Sequence, residues 1–340
     1  MNFPINPYHN YKNNSFWSKN ISNKPLGNID ITQELEKFIL SKNDKVISIG
    51  SCFAQHISNF LQSKNYNYLL YEKNYTHFSA KYGNVYTSEQ GKQLLERAIN
   101  KDPEGEVWIN YKIKRYIDSY RPRIFDKGFS TVEEVKFERI KHLETTLRAF
   151  KDCDVLIYTL GLTEGWKSKN TGQVFQIAPG VDGGSFDSLL HESFNSSLNE
   201  VVDNLQIFIS QIRLINPKVK ILITVSPVHL AATHTKTNVL IASIESKMKL
   251  RLATTEILRQ NNNVYYFPSL EYIFGLSQTG ALYGNNRREV NELGVNLVMS
   301  MFAKTYLGEV ANEEGYNKSR QEMLNREIIC DEDVLLMQDS

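Results

Sequence analysis

Short apolar runs alternate along the chain with longer stretches whose apolar residues recur every three to four positions. Four runs read as strands: 45–49 (KVISI), 154–160 (DVLIYTL), 219–225 (VKILITV) and 264–267 (VYYF). They are apolar at nearly every position, the pattern of strands covered on both faces. Helical spacing predicts helices over about 53–64, 88–100, 131–151, 197–215, 239–261 and 291–307. In 131–151 the periodic set is Ile140, Leu143, Leu147 and Phe150; in 197–215 it includes Leu198, Val201, Leu205, Phe208 and Ile212. Ser88 is the expected N-cap of the second helix. Strands separated by long helices predict an α/β fold, a three-layer sandwich around a mainly parallel sheet. Aromatic-rich residues 101–130 read as an insertion beside the core. Asn170-Thr171-Gly172 reads as a turn, and Pro179-Gly180 with Gly183-Gly184 as a loop. The expected organisation is an irregular N-terminal extension over 1–43, packed on the core, a domain over 44–308, and a partly disordered tail over 309–340.

In parallel sheets, ligands bind outside the carboxyl ends of the strands. The first such end carries Gly50-Ser51-Cys52. Gly50 permits a sharp turn, and a helix starting at Phe53 would aim its first N–H groups at residues 51–52. That positive end lowers a thiol pKa and stabilises an anion. Cys52 is therefore a candidate nucleophile; the alternative is a small buried cysteine at a strand end. The other ends carry residues 161–164, 226–229 and 268–269, which converges the candidate chemistry on one edge.

Composition narrows the classes. The chain has 340 residues, with 39 Lys+Arg against 38 Asp+Glu, so the near-zero balance gives no support for nucleic acid binding. No apolar run approaches the ~20 residues of a membrane span, and the first twenty residues lack the apolar segment of a secretory signal, so no membrane insertion is expected. Cys52, Cys153 and Cys330 make an odd count without metal spacing, which fits a cytoplasmic protein. No His-x-x-x-His, Cys-x-x-Cys or clustered carboxylate pattern predicts a metal site, and no glycine-rich phosphate loop marks a coenzyme A site; no cofactor is expected. The oligomeric state stays open.

Gly50-Ser51-Cys52-Phe53-Ala54 is an unusual string. With it, in order, come Tyr82-Gly83-Asn84-Val85-Tyr86, the stretch from Thr159 to Trp166, Thr224-Val225-Ser226-Pro227-Val228 and Tyr266-Phe267-Pro268-Ser269. On these strings the chain is identified as a member of the GSCFA family over about residues 5–308, and it resembles SGNH, or GDSL-type, ester hydrolases. The resemblance implies a nucleophile at Cys52, with Ser51 where the motif usually has Asp; Ser51 is alternatively the reactive hydroxyl or a helix cap. It implies an oxyanion role for the Gly83 amide, with Asn84 as a second donor or a turn residue. Gly161-Leu162-Thr163-Glu164 resembles the Gly-x-Asn-Asp block, with Thr163 in place of a donor amide. Glu164 is then an acid catalyst, an acceptor for a sugar hydroxyl, or a helix-start charge. The usual Asp-x-x-His before the last helix is replaced, with Asn286 at the Asp position and Glu289 at the His position. Of the seven histidines, His56 ranks first as a base because a helix would set it one turn after Cys52. His77, His142, His229 and His234 are the others considered. The implied activity is an ester hydrolase or O-acyltransferase acting on an acylated glycan or similar small-molecule ester. The alternative is a catalytically degenerate relative that binds a glycan or protein partner.

Overall fold

The computed structural model describes residues 8, 10–22, 24, 26–72, 75, 77–276 and 281–309. Cys330 and the expected tail from residue 310 lie outside the described residues. In chain order the elements are β1 (Val46–Gly50), α1 (Ala54–Ser63), α2 (Ser88–Asn100), β2 (Val107–Asn110), β3 (Arg115–Asp118), α3 (Val132–Asp152), β4 (Val155–Leu160), β5 (Glu164–Ser168), β6 (Val174–Phe175), β7 (His191–Asn195), α4 (Leu198–Ile215), β8 (Lys220–Val225), α5 (Val239–Gln260), β9 (Val264–Phe267), α6 (Ser269–Phe274) and α7 (Glu292–Phe302). The four predicted strands form one parallel sheet in the order β1-β4-β8-β9.

The sheet divides its side chains by the two-residue period of a strand. Ile47, Ile49, Leu156, Tyr158, Ile221, Ile223 and Tyr266 pack against Leu95 of α2, Phe150 of α3, Phe208 of α4 and Ile257 of α5. Val46, Val155, Ile157, Leu222 and Phe267 pack on the other face against Ile57 of α1, Tyr272 of α6 and Val298 of α7. Ile29 and Leu40 join that second layer, and the Leu40 amide donates to the Tyr306 carbonyl at 2.6 Å. Both layers are thus mainly apolar, with Ser48, Thr159 and Thr224 as buried polar positions in the strands, which is why the strands read as nearly unbroken runs.

The helices carry local stop and start signals. Thr87, not Ser88, caps α2: its side chain accepts from the Gln90 amide, and Ser88 is already helical. Thr131 caps α3, Asn238 caps α5 and Asn291 caps α7, while Ser197 and Glu200 form a reciprocal capping box on α4. The buried stripe of α3 also differs from the expectation. Ile140 is exposed, and the inward positions include Val135, Arg139, His142, Leu143 and Phe150. Two of those five inward groups are polar, because α3 covers a charged cluster as well as the sheet.

The 101–130 insertion contains the β2–β3 hairpin. The stretch after β4 forms a second small antiparallel sheet in the order β6-β5-β7, with Gly172 turning between β5 and β6 at φ +72°. These strands are two to five residues long and half-buried, so their sequence lacks a clean alternation. Trp108 and Ile117 of the hairpin pack on Phe175 and Ile177, with Trp166 beside them, joining the two insertions.

Gly50 ends β1 with φ +137°, and a Cβ placed there would lie 2.2 Å from the Thr159 carbonyl oxygen of β4. Gly50→Ala is expected to cost about 3 kcal/mol or more, from backbone strain plus a clash with fixed main chain. Denaturant unfolding of the purified variant checks this; an unchanged midpoint would contradict the close packing at this corner.

Candidate active site

Three motif segments meet at the carboxyl edge of the sheet, held mainly by backbone. The Ser51 amide donates to Thr159 O (3.0 Å), and the Val85 amide donates to Gly50 O (2.7 Å). The Gly161 and Leu162 amides both donate to Tyr86 O at 3.0 Å. Gln55 Nε2 reaches Asn84 Oδ1 at 3.1 Å. Gly161 has to be glycine: a Cβ there would sit 2.9 Å from Tyr86 O and 3.1 Å from the Ser51 Cβ. Gly83, at φ +70°, is covered as closely by the Gln176 amide, 2.4 Å from where a Cβ would stand. The fourth segment joins through the Ser226 amide, which donates to Leu160 O at 2.8 Å.

Ser51 and Cys52 are both buried, at 2% and 5% exposure, and the Ser51 hydroxyl has no hydrogen-bond partner. Cys52 precedes α1 instead of lying in it. The Ala54 and Gln55 amides donate to Ser51 O (2.9 Å) and Cys52 O (3.1 Å), so the chain enters the helix through tight turns. His56 stands one turn into this entry with its ring against Phe53. Burial pushes its pKa down to about 4, so at neutral pH it is uncharged and lends no positive field to a thiolate.

The third block spends its donors inside the protein. The Thr163 amide donates to Ser246 Oγ (2.9 Å) and its hydroxyl to Asn195 Oδ1 (2.7 Å). Gly161 O accepts from Lys247 Nζ at 2.5 Å. Glu164 starts a strand, which removes the helix-start reading. Its carboxylate accepts from Thr233 Oγ1 at 2.9 Å and from the His234 amide at 3.2 Å, with His234 Nε2 at 3.5 Å. Glu164, Thr233 and His234 line a cavity of about 200 Å³ with Trp166, Tyr86 and Gln176. Ser51, Cys52 and His56 are not among its lining residues; the 84–86 segment stands between. Trp108, in the aromatic-rich insertion, is buried in packing, whereas Trp166 lines the cavity.

Asn286 and Glu289 form a turn. Asn286 Oδ1 accepts from the Arg288 and Glu289 amides, and its Nδ2 donates to Glu289 Oε2 at 3.2 Å. The Glu289 side chain is 47% exposed and also pairs with Arg288 at 3.4 Å. The structure records no bond from either to Ser51. The His77 ring meets Tyr75 edge-on, and His142 pairs with Glu72 with its ring edge-on to Tyr82.

The strand edge holds polar residues beyond those singled out by motif. His229 Nδ1 lies 2.9 Å from Ser243 Oγ, with its ring stacked on Phe274. Burial, then the Lys247 and Arg288 charges, push the His229 pKa down to about 4. Lys247 itself is 2% exposed. Its signal in the sequence was a lone cation four residues after Ser243 and three before Leu250, on the inward face of a helix. Among the described residues no group of three or more His, Cys, Asp or Glu is arranged to hold a metal ion, and no helix is long and apolar enough to cross a membrane.

The convergence of these strings at one edge agrees with their match to a single family profile, over residues 45–302. The chain belongs to the GSCFA family. No curated protein matches it. Among solved structures, the GSCFA chain is similar to a Clostridium thermocellum family 3 carbohydrate esterase, at 13% identity and TM-score 0.30, over 77% of this chain and 94% of that one. A carbohydrate esterase family 3 from Talaromyces cellulolyticus gives 11% identity and TM-score 0.32, over 77% and 95%. An acetyl xylan esterase from the rumen bacterium Butyrivibrio proteoclasticus gives 12% and 0.25, over 66% and 55%.

The depressed histidines set an acid limit. His142 is 3% exposed, with a pKa pushed down to about 4 by burial and then by Arg121. The unfolded chain takes up that proton first, near pH 6.5. The stability from a neutral His142 is thus full above 6.5 and lost as pH falls toward 4, on the order of 3 kcal/mol. Unfolding free energies measured between pH 6.5 and 4 are expected to fall steeply, and His142→Gln is expected to flatten the slope. A wild-type profile level across this window would contradict the burial.

Proposed function

We propose that this GSCFA chain is an SGNH-like ester hydrolase or O-acyltransferase acting on an acylated glycan or similar ester, with Cys52 as nucleophile. The observation that carries the reading is the meeting of Gly50-Ser51-Cys52, Gly83-Asn84-Val85-Tyr86 and Gly161 at one strand edge, through the Val85–Gly50, Gln55–Asn84 and Gly161–Tyr86 bonds. The buried Lys247 at Gly161 O supports it further, since a cation beneath the edge favours a thiolate and the oxyanion of a tetrahedral intermediate. In this reading the Cys52 sulfur attacks the ester carbonyl, and the thiol proton passes to the departing alkoxide. The resulting thioester is released by water or by an acceptor hydroxyl. A thiolate needs less help from a base than a hydroxyl does, which suits a chain with Asn286 and Glu289 where the base pair usually stands. The Gly83 amide and Asn84 are the proposed oxyanion donors. The Glu164 cavity, with Trp166 beside a carboxylate held by Thr233, suits a sugar ring and its hydroxyls.

A second reading is a degenerate, binding-only relative. It is favoured by the 5% exposure of Cys52 and by the absence of Ser51 and Cys52 from the lining of the Glu164 cavity.

Turnover of short acyl esters and acetylated oligosaccharides separates the two. The catalytic reading expects activity that is abolished in Cys52→Ala and falls at least about 100-fold in Cys52→Ser, because no strong base is placed to activate a hydroxyl. It also expects iodoacetamide to label Cys52 before Cys153, whose thiol burial pushes up to about 12. Full activity in Cys52→Ala would move the role to Ser51 or away from covalent chemistry. Binding of acetylated oligosaccharides without turnover in any variant would establish the second reading.

A further inference from the structure

Behind the motif segment 82–86 lies a charge cluster that the catalytic reading does not use. Asp118 is at its centre, with Oδ1 2.7 Å from Arg139 Nε and Oδ2 2.8 Å from Arg121 Nε. All three groups are nearly inaccessible, with side-chain exposures of 1–3%. Arg139 is saturated by the Pro103, Gly105 and Glu106 carbonyls and Ser119. A third guanidinium, Arg97, lies over the Tyr120 ring at 3.2 Å from its centroid. Glu72, paired with His142, is the second carboxylate facing the group. Within the buried group three guanidiniums thus face two carboxylates, with His142 kept neutral by burial, while on its outer side Arg97 also shares an open pocket with Glu96, Asp102 and Glu104.

The donors are also under-used. Arg121 Nη1 donates to Lys81 O at 3.1 Å, but its Nη2 is buried without any hydrogen-bond partner. Arg97 Nε is buried in the same condition. Both arginines line a void of about 20 Å³ with Asp118, Tyr120 and Gln90. That volume is the size of one water or one monatomic ion. A buried guanidinium donor left without an acceptor costs more than a neutral one, and a water would fill the bond without balancing the charge.

We propose that the void between Arg97 and Arg121 is a binding site for one small monatomic anion, chloride under ordinary conditions. The anion accepts from Arg97 Nε and Arg121 Nη2 and offsets the local excess of guanidinium over carboxylate among the residues that line the void, where Arg97, Arg121 and Arg139 face Asp118. Its position gives it a consequence. Arg121 holds the Lys81 carbonyl, and Tyr82, Val85 and Gln90 share the void's wall. Gln90 in turn holds the Tyr86 amide and the Asn84 carbonyl. The ion therefore fixes the back of the same segment whose front meets Ser51 and Gly161, independently of whether that edge is catalytic.

The test compares thermal unfolding in sodium chloride and sodium gluconate at equal ionic strength, with a bromide-soaked crystal measured for anomalous scattering. The expected result is a Tm higher by about 2 °C or more in chloride, and a bromide peak within hydrogen-bond distance of Arg97 Nε and Arg121 Nη2. Arg97→Gln, whose side chain gives up the Tyr120 stacking but no hydrogen bond among the described residues, is expected to fold, to lose the chloride increment and to lose the peak. Equal Tm in both salts with water in the void would overturn the proposal. A bromide peak without any chloride increment, an adventitious ion only, would overturn it too. So would a chloride increment that survives unchanged in Arg97→Gln.

Discussion

The close approach of Gly50 to Thr159 is the constraint on which the rest of the edge depends. At that point β1 and β4 are in register and the backbone leaves the sheet with a dihedral open chiefly to glycine. Because no Cβ intervenes, the Ser51 amide takes the Thr159 carbonyl, and the Gly50 carbonyl is left for Val85. That second bond imports the 82–86 segment, whose Tyr86 carbonyl then receives Gly161 and Leu162. Three sequence-distant strings are thus brought together by main-chain bonds, and side chains only finish the fit. A fold assembled this way sets the geometry of the edge through main chain, whatever side chains stand there.

Much of this was legible in the chain. A strand buried on both faces must be apolar throughout, so VLIYTL and KILITV announce themselves, and caps such as Ser197-x-x-Glu200 mark helix starts. The segments that were not legible as strands, 107–118 and 164–195, are short and half-exposed. Their pairing is set by contacts such as Trp108 on Phe175 that no local pattern encodes. Glu164 illustrates the limit: the residues after a strand suggested a helix start, but its partners Thr233 and His234 are about seventy positions away. Arg139 and His142 misled the α3 stripe for the same reason, since their burial depends on Asp118 and Glu72 from other elements.

Electrostatically the molecule keeps two buried positive regions on either side of the 82–86 segment. Lys247 and Arg288 act on His229 at the strand edge, and Arg97, Arg121 and Arg139 gather around Asp118 behind it. The near-neutral composition hides both, because net charge sums over the surface while these fields come from a few desolvated groups.

The second small sheet is a single detour between β4 and α4, pinned by Trp166, Phe175 and their neighbours. It carries Glu164 and Trp166, whereas Gly50 ends a strand of the central sheet and Ser51 and Cys52 lie in the turn that follows it. In the proposed reading, recognition and reactivity are therefore housed on separable parts of one polypeptide. Lengthening, trimming or regrafting residues 164–195 would then reshape the cavity while leaving the Gly50–Thr159 corner in register, because the two are held by different sheets.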